Sequence, residues 1–217
     1  MVTDNCERAL LEKGLGTLNI ALGTDQVDAL LHYVALLRQW NRAYNLTAVT
    51  DPLEMVRLHL LDSLAILPYL RGKCFADVGT GPGLPGIPLA IALPERHFTL
   101  VDSNGKRVRF LFHVKTALGL TNVSETHARA EGFNPDPRVD GVISRAFTSL
   151  GDMVDKTRHM LAIGGKFYAM KGRYPEKELR ELGKDYTVSS CHRLRIPGVE
   201  GERHLLEIGL SPAGISL

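Results

Sequence analysis

The chain has 217 residues, 44% of them hydrophobic and 23% charged, with a formal net charge of +2. These values describe an ordinary folded globular protein and exclude a disordered, collagen-like or disulfide-scaffold chain. The length predicts one domain carrying an extension, and the small excess of base does not by itself announce a nucleic-acid partner.

The amino-terminal region is acidic and lacks the positive-then-apolar pattern of a secretory signal. Two helices are predicted there. Val27, Leu30, Leu31, Val34 and Leu37 recur at helical spacing behind Thr24 as N-cap, and Asp51-Pro52-Leu53-Glu54 starts a second helix running to about Leu67. The apolar stretch 60–70 is broken by Asp62, Ser63 and Pro68, far short of the roughly 20 residues that span a bilayer. No membrane segment is expected, and the protein reads as cytoplasmic.

After residue 72 short apolar runs alternate with helical stretches, the pattern of βαβ units around a mainly parallel sheet. Strands are predicted at Phe75–Gly79, His97–Asp102, Val123–His127, Val139–Ser144 and Lys166–Met170, with helices near 85–93, 105–118, 148–161 and 175–183. Tyr186–Ile196 and Arg203–Leu210 have no helix between them and should pair as an antiparallel hairpin. The fold class is therefore α/β, a seven-stranded sheet ending in a hairpin, with residues 1–72 as a helical extension packed on the same domain as 73–217.

The chemistry concentrates at Asp77-Val78-Gly79-Thr80-Gly81-Pro82-Gly83-Leu84-Pro85-Gly86. A strand feeding a glycine-rich turn and then a helix brings backbone N–H groups close to a ligand. Nineteen residues beyond Gly83 the second strand ends in Asp102, where a carboxylate can accept from ribose hydroxyls, so the ligand reads as an adenosine derivative. Gly81-x-Gly83-x-x-Gly86 satisfies the dinucleotide fingerprint, but Gly81 comes two residues after the strand end. An acid inside the strand followed by Gly79-x-Gly81-x-Gly83 instead matches the S-adenosylmethionine loop of class I methyltransferases.

After the fourth strand stands Ile143-Ser144-Arg145-Ala146-Phe147, with neither an Asn-Pro-Pro-Tyr motif nor a Pro-Cys. Both absences favour an acceptor atom with a free lone pair, which needs in-line positioning rather than a general base. Arg145 is the candidate positioning residue, for a carboxylate or a phosphate, or else an arginine merely pairing with a nearby acid. Ala130 and Glu131 lie where an adenine would sit. His59, Asp62 and Ser63 share one helix face and read as a buried polar notch rather than a triad. Lys106, Arg109 and His113 form one helix face, and residues 156–195 carry ten bases against four acids. This charge makes RNA plausible, and Trp40 and Tyr44 are either stacking or core aromatics. Cys6, Cys74 and Cys191 have no metal-ligand spacing, so no metal is assigned.

Asn45-Leu46-Thr47-Ala48, His59-x-x-Asp62-Ser63, the glycine loop through Leu89, Val101-Asp102-Ser103, Ser144-Arg145-Ala146 and Met170-Lys171-Gly172 together resemble the RsmG (GidB) family of bacterial ribosomal RNA methyltransferases, over about residues 10–210. The resemblance implies methyl transfer from S-adenosylmethionine to N7 of a guanosine in the 530 loop of 16S rRNA, in the 30S subunit or an assembly intermediate; a monomer is expected. It also implies that Asp77, Gly79, Gly81, Gly83, Leu84, Asp102, Ala130, Glu131 and Arg145 serve the cofactor, and that Arg129, Lys171 and Arg203 touch RNA. The tail from Ser211 matches nothing. The competing readings are a non-catalytic adenosine- or NAD-binding RNA module and a methyltransferase acting on a small molecule or protein.

Overall fold

A computed structural model describes residues 2–145, 147 and 149–211. Three helical segments precede the sheet. The first, α1 (Val2–Thr17), was not foreseen from the sequence. Its buried face is short, Glu7, Leu11 and Leu15 at four-residue spacing, and Glu7 accepts from Arg38 Nη1 at 3.2 Å. An acid in the buried stripe conceals the amphipathic pattern.

Helix α2 (Thr24–Tyr44) buries Val27, Leu30, Val34 and Leu37 as read, and Tyr33 and Leu36 as well. Its N-cap is Gly23 rather than Thr24, because the Gln26 side chain reaches back to accept from the Gly23 N–H at 2.9 Å. The next helical stretch is α3 (Pro52–Met55), a π-helical segment (Val56–Leu61) and α4 (Asp62–Leu64) in continuous succession. Asp51 caps it by accepting from the Glu54 N–H at 2.9 Å, while the Glu54 side chain bonds Arg57 rather than reaching back. Regular helix ends at Leu64, before the Leu67 anticipated.

The sheet comprises β1 (Cys74–Val78), β2 (His97–Asp102), β3 (Val123–His127), β4 (Val139–Ser144), β5 (Leu161–Lys171), β6 (Tyr186–Arg193) and β7 (His204–Leu210). Its order is β3-β2-β1-β4-β5-β7-β6, with β7 antiparallel to both neighbours. Helices α5 (Gly86–Ala92), α6 (Gly105–Leu118), α7 (Leu150–Thr157) and α8 (Glu176–Glu181) complete it. The one large boundary change is β5, which starts five residues before the predicted Lys166. Val139 pairs with Leu161 and Gly141 with Lys166, so an irregularity in the ladder takes up the intervening residues with Gly164 and Gly165, which in sequence look like breakers.

Alternating side chains build a core on each face of the sheet. Phe75, stacked on Phe98, belongs to the same apolar cluster as Leu11, Leu30, Leu60 and Phe110, so the amino-terminal helices share one core with β1, β2 and α6. Ala76 and Val78 join Leu150, Val154, Phe167, Leu206 and Ile208 on the other face. The strand order reverses between β1 and β4, and this switch point opens the crevice in which ligands of such sheets bind.

Candidate functional site: a glycine loop and two adjoining pockets

The loop after β1 is organised from below by Asp77. Its Oδ2 accepts from the Thr80 hydroxyl at 2.6 Å and from the Gly86 N–H at 2.8 Å, joining the strand end to the first turn of α5. The side chain is fully buried, and burial pushes its ionisation up to about 6 against the pull of those two donors. Tyr33 clamps the loop from the side, its hydroxyl donating to the Pro82 carbonyl at 2.9 Å. Burial holds the Tyr33 phenol protonated, so it remains a donor.

Two glycines are required here for different reasons. Gly83 has φ +99°, and a Cβ there would lie 2.5 Å from Ile87 Cγ1 and 2.9 Å from Leu111 Cδ2. Gly81 has φ +62°, and nothing lies within 4 Å of where its Cβ would project. One is a packing glycine; the other faces open space that a side chain would fill.

Asp102 at the end of β2 completes the loop. Its Oδ2 accepts from the Gly81 N–H at 2.9 Å and from Arg107 Nη1 at 3.3 Å, and its Oδ1 accepts from the Asn104 N–H at 2.8 Å. A carboxylate offers about four acceptor directions, so Oδ1 keeps capacity for a further donor. Gly79, Asp102, Arg107, Arg129, Ala130, Glu131 and Lys156 line a cavity of about 290 Å³, near the lower end of the roughly 300–1,000 Å³ typical of small-molecule sites. Asp77, Gly83 and Leu84 are buried and lie outside this lining, as does Gly81, whose Cβ position, unlike that of Gly83, points into open space. Lys156 and Arg107 escaped the sequence reading because their neighbours come from other elements.

A second cavity, about 280 Å³, adjoins the first and contains His59, Asp62, Arg145, Lys171, Arg203 and His204. Phe147 belongs to the first cavity, and its carbonyl accepts from Lys171 Nζ, of the second, at 3.3 Å. Arg145 lines this second pocket and not the first. It donates to Asp62 Oδ2 at 3.0 Å, while Arg203 Nε donates to Asp62 Oδ1 at 3.2 Å. Lys171 also pairs with Glu178 at 2.8 Å. His59 Nε2 and the Thr47 hydroxyl are 2.9 Å apart, whereas Nδ1 of His59 and Nδ1 of His204 are buried without a hydrogen-bond partner. Burial lowers the His59 ionisation to about 4, and the charge of Arg145 works in the same direction. Ala146 lies outside the described residues, as does the tail after Ser211.

A larger cavity, about 800 Å³, opens at the other end of the sheet near Arg138, Arg158 and Ile163, away from the switch point. Among the described residues no helix is long and apolar enough to cross a membrane, and no group of three or more His, Cys, Asp or Glu could hold a metal.

The strand order, the reversed β7, the glycine loop at the switch point and the acid ending β2 define a class I S-adenosylmethionine-dependent methyltransferase. Residues 26–206 match the family described as GidB, rRNA small subunit methyltransferase G, and the chain belongs to that family. Two relatives carry the name ribosomal RNA small subunit methyltransferase G. That of Salmonella arizonae is 52% identical over 198 residues, 91% of this chain and 96% of its own. That of Escherichia fergusonii is 53% identical over 189 residues, 87% and 91%. The fold is similar to ribosomal protein L11 methylase from Lactobacillus delbrueckii subsp. bulgaricus, with TM-score 0.52 and 15% identity over 69% of this chain and 77% of that one. It is also similar to TrmN from Thermus thermophilus, with TM-score 0.52 and 18% identity over 80% and 53%.

Proposed function

We propose that this protein methylates N7 of a guanosine in the 530 loop of 16S rRNA, within the 30S subunit or an assembly intermediate, acting as a monomer. The observation that carries this reading is the chemistry at the carboxyl end of β4. Arginines and a clamped carboxylate stand there, and Cys6, Cys74 and Cys191 lie away from both cavities. Guanine N7 has its own lone pair and loses no proton, so an acceptor site with no thiol in its lining and with its carboxylate already held by two arginines suits it.

S-adenosylmethionine supplies a methyl on a sulfonium: the N7 lone pair forms the new C–N bond, the S–C pair stays on sulfur, and the positive charge moves to the base. The chain's own residues position and shelter. Gly79 and the open face of Gly81 let the backbone approach the ligand, and Asp102 accepts from ribose. Ala130 and Glu131 present backbone to the adenine. Asp77, Gly83 and Leu84 hold the loop. Arg145 positions the reactants, and Arg129, Lys171 and Arg203 meet RNA phosphate.

The test is transfer of tritiated methyl to purified undermodified 30S subunits, with Gly79→Val and Arg145→Ala alongside and the modified nucleotide mapped. Label at one guanine N7, much reduced in both variants, is the expected result. No label despite measured cofactor binding would overturn the substrate assignment.

A further inference from the structure

The second cavity combines apolar walls, Leu58, Met170 and Leu194, with a charged cluster in which one acid is set among bases. Among the described residues Asp62 is the only acid lining it, and the other charged groups there are Arg145, Lys171 and Arg203. The carboxylate is 6% exposed and holds one arginine on each oxygen. Each oxygen is thereby oriented and able to accept once more. His59 and His204 also line it, and Nδ1 of each is buried without a hydrogen-bond partner. The cavity meets the cofactor-side pocket through Arg145, Phe147 and Lys171, so a ligand in one lies beside a ligand in the other.

We propose that this cavity receives the acceptor base turned out of its RNA stack, and that Asp62 reads it as guanine by accepting from N1–H and from the exocyclic amine. The inference rests on the guanine-N7 reading above and deepens it. Guanine alone among the four RNA bases presents two adjacent N–H donors on its Watson–Crick edge. Adenine and cytosine set an amine beside an acceptor, and uracil sets one N–H between two carbonyls. A carboxylate facing that edge accepts both donors from guanine and meets a lone pair with the others. N7 lies on the opposite side of the ring, so gripping the Watson–Crick edge leaves it free for the methyl.

Charge argues the same way. Methylation makes the base cationic; Lys171 is already paired with Glu178, and the two arginines would oppose that charge unless an acid faces the ring. Asp62 is the acid present.

The experiment compares methyl transfer to reconstituted 30S subunits carrying guanosine or inosine at the target position. Inosine lacks the exocyclic amine and keeps N7. Wild-type protein should lose about 10-fold or more in kcat/KM on inosine, in line with the roughly 1–3 kcal/mol of a bidentate base contact. Asp62→Asn should lose about 10- to 100-fold on guanosine and then show no further preference for guanosine over inosine, with S-adenosylmethionine affinity by calorimetry unchanged. Equal wild-type rates on the two substrates would overturn the proposal, whatever the variant does. So would an Asp62→Asn protein that keeps the full preference, since the carboxylate would then act only by bracing the arginines. Wild-type protein that binds S-adenosylmethionine but labels neither substrate would instead sink the reading beneath it.

Discussion

Asp77 and His59 are both buried, and burial moves their ionisations past each other from opposite sides. Asp77 rises from 3.8 to about 6, so between those values the folded chain holds more protons there than the unfolded one, and stability falls as pH rises. His59 drops from 6.5 to about 4, so its contribution is intact above pH 6.5 and is lost as pH falls towards 4. Each shift corresponds to about 3 kcal/mol, and in the wild type the two largely cancel. Asp77→Asn should therefore lose stability on acidification from pH 6.5 to 4, and His59→Asn should gain relative to it, as read from urea melts. Identical pH slopes in the two variants would refute the burial account. The loop glycines separate in the same manner. Gly83→Ala meets Ile87 and Leu111 and should cost about 1–3 kcal/mol of stability. Gly81→Ala should cost only about 1 kcal/mol of backbone strain while weakening S-adenosylmethionine binding at least tenfold; unchanged affinity would mean the ligand does not lie over Gly81.

At the scale of elements, α2 steers the loop after β1. The Tyr33 hydroxyl on Pro82 is the hydrogen bond that joins them. Tyr33→Phe removes it and should lower stability by about 1 kcal/mol, visible as a fall of roughly 2–4 °C in Tm for a domain of this size. Cofactor affinity should fall with it; a variant that melts lower yet binds as tightly would show that the clamp is structural only. The loop itself was legible in the sequence because Asp77, its glycines and Asp102 are set by one βαβ unit. Strand ends carry the message locally. Arg145 was legible as an arginine at a strand end, but the pair with Asp62 was open because their meeting spans 83 residues. Lys156 and His204 were missed for the same reason, being delivered by α7 and β7. The first helix and the early start of β5 were hidden by local exceptions, an acid in an apolar stripe and two glycines inside a strand.

Across the whole molecule the net charge of +2 understates the site. Arg107, Arg129 and Lys156 rim one pocket, and Arg145, Lys171 and Arg203 the other. Binding to 16S rRNA should therefore weaken steeply with salt. Arg129, exposed and with no ion pair among the described residues, should lower the slope of log K against log salt by about 0.7–0.9 when replaced by alanine. A slope unchanged in Arg129→Ala would remove that residue from the RNA contact.

The clamp on Asp62 also has a temporal side. Its two arginines lie 83 and 141 residues downstream, and a chain leaves the ribosome from its amino end. The strands around the glycine loop, β1, β2 and β4, are complete by Ser144, whereas the second arginine arrives only at Arg203, one residue before the last strand begins. A nascent or prematurely terminated chain lacking β7 leaves the second pocket open on one side, with Asp62 half-neutralised, while every residue lining the first pocket has already been made. Synthesis thus delivers the whole lining of the first pocket early and the second arginine of the Asp62 clamp late, so the second pocket is complete only when the chain nearly is.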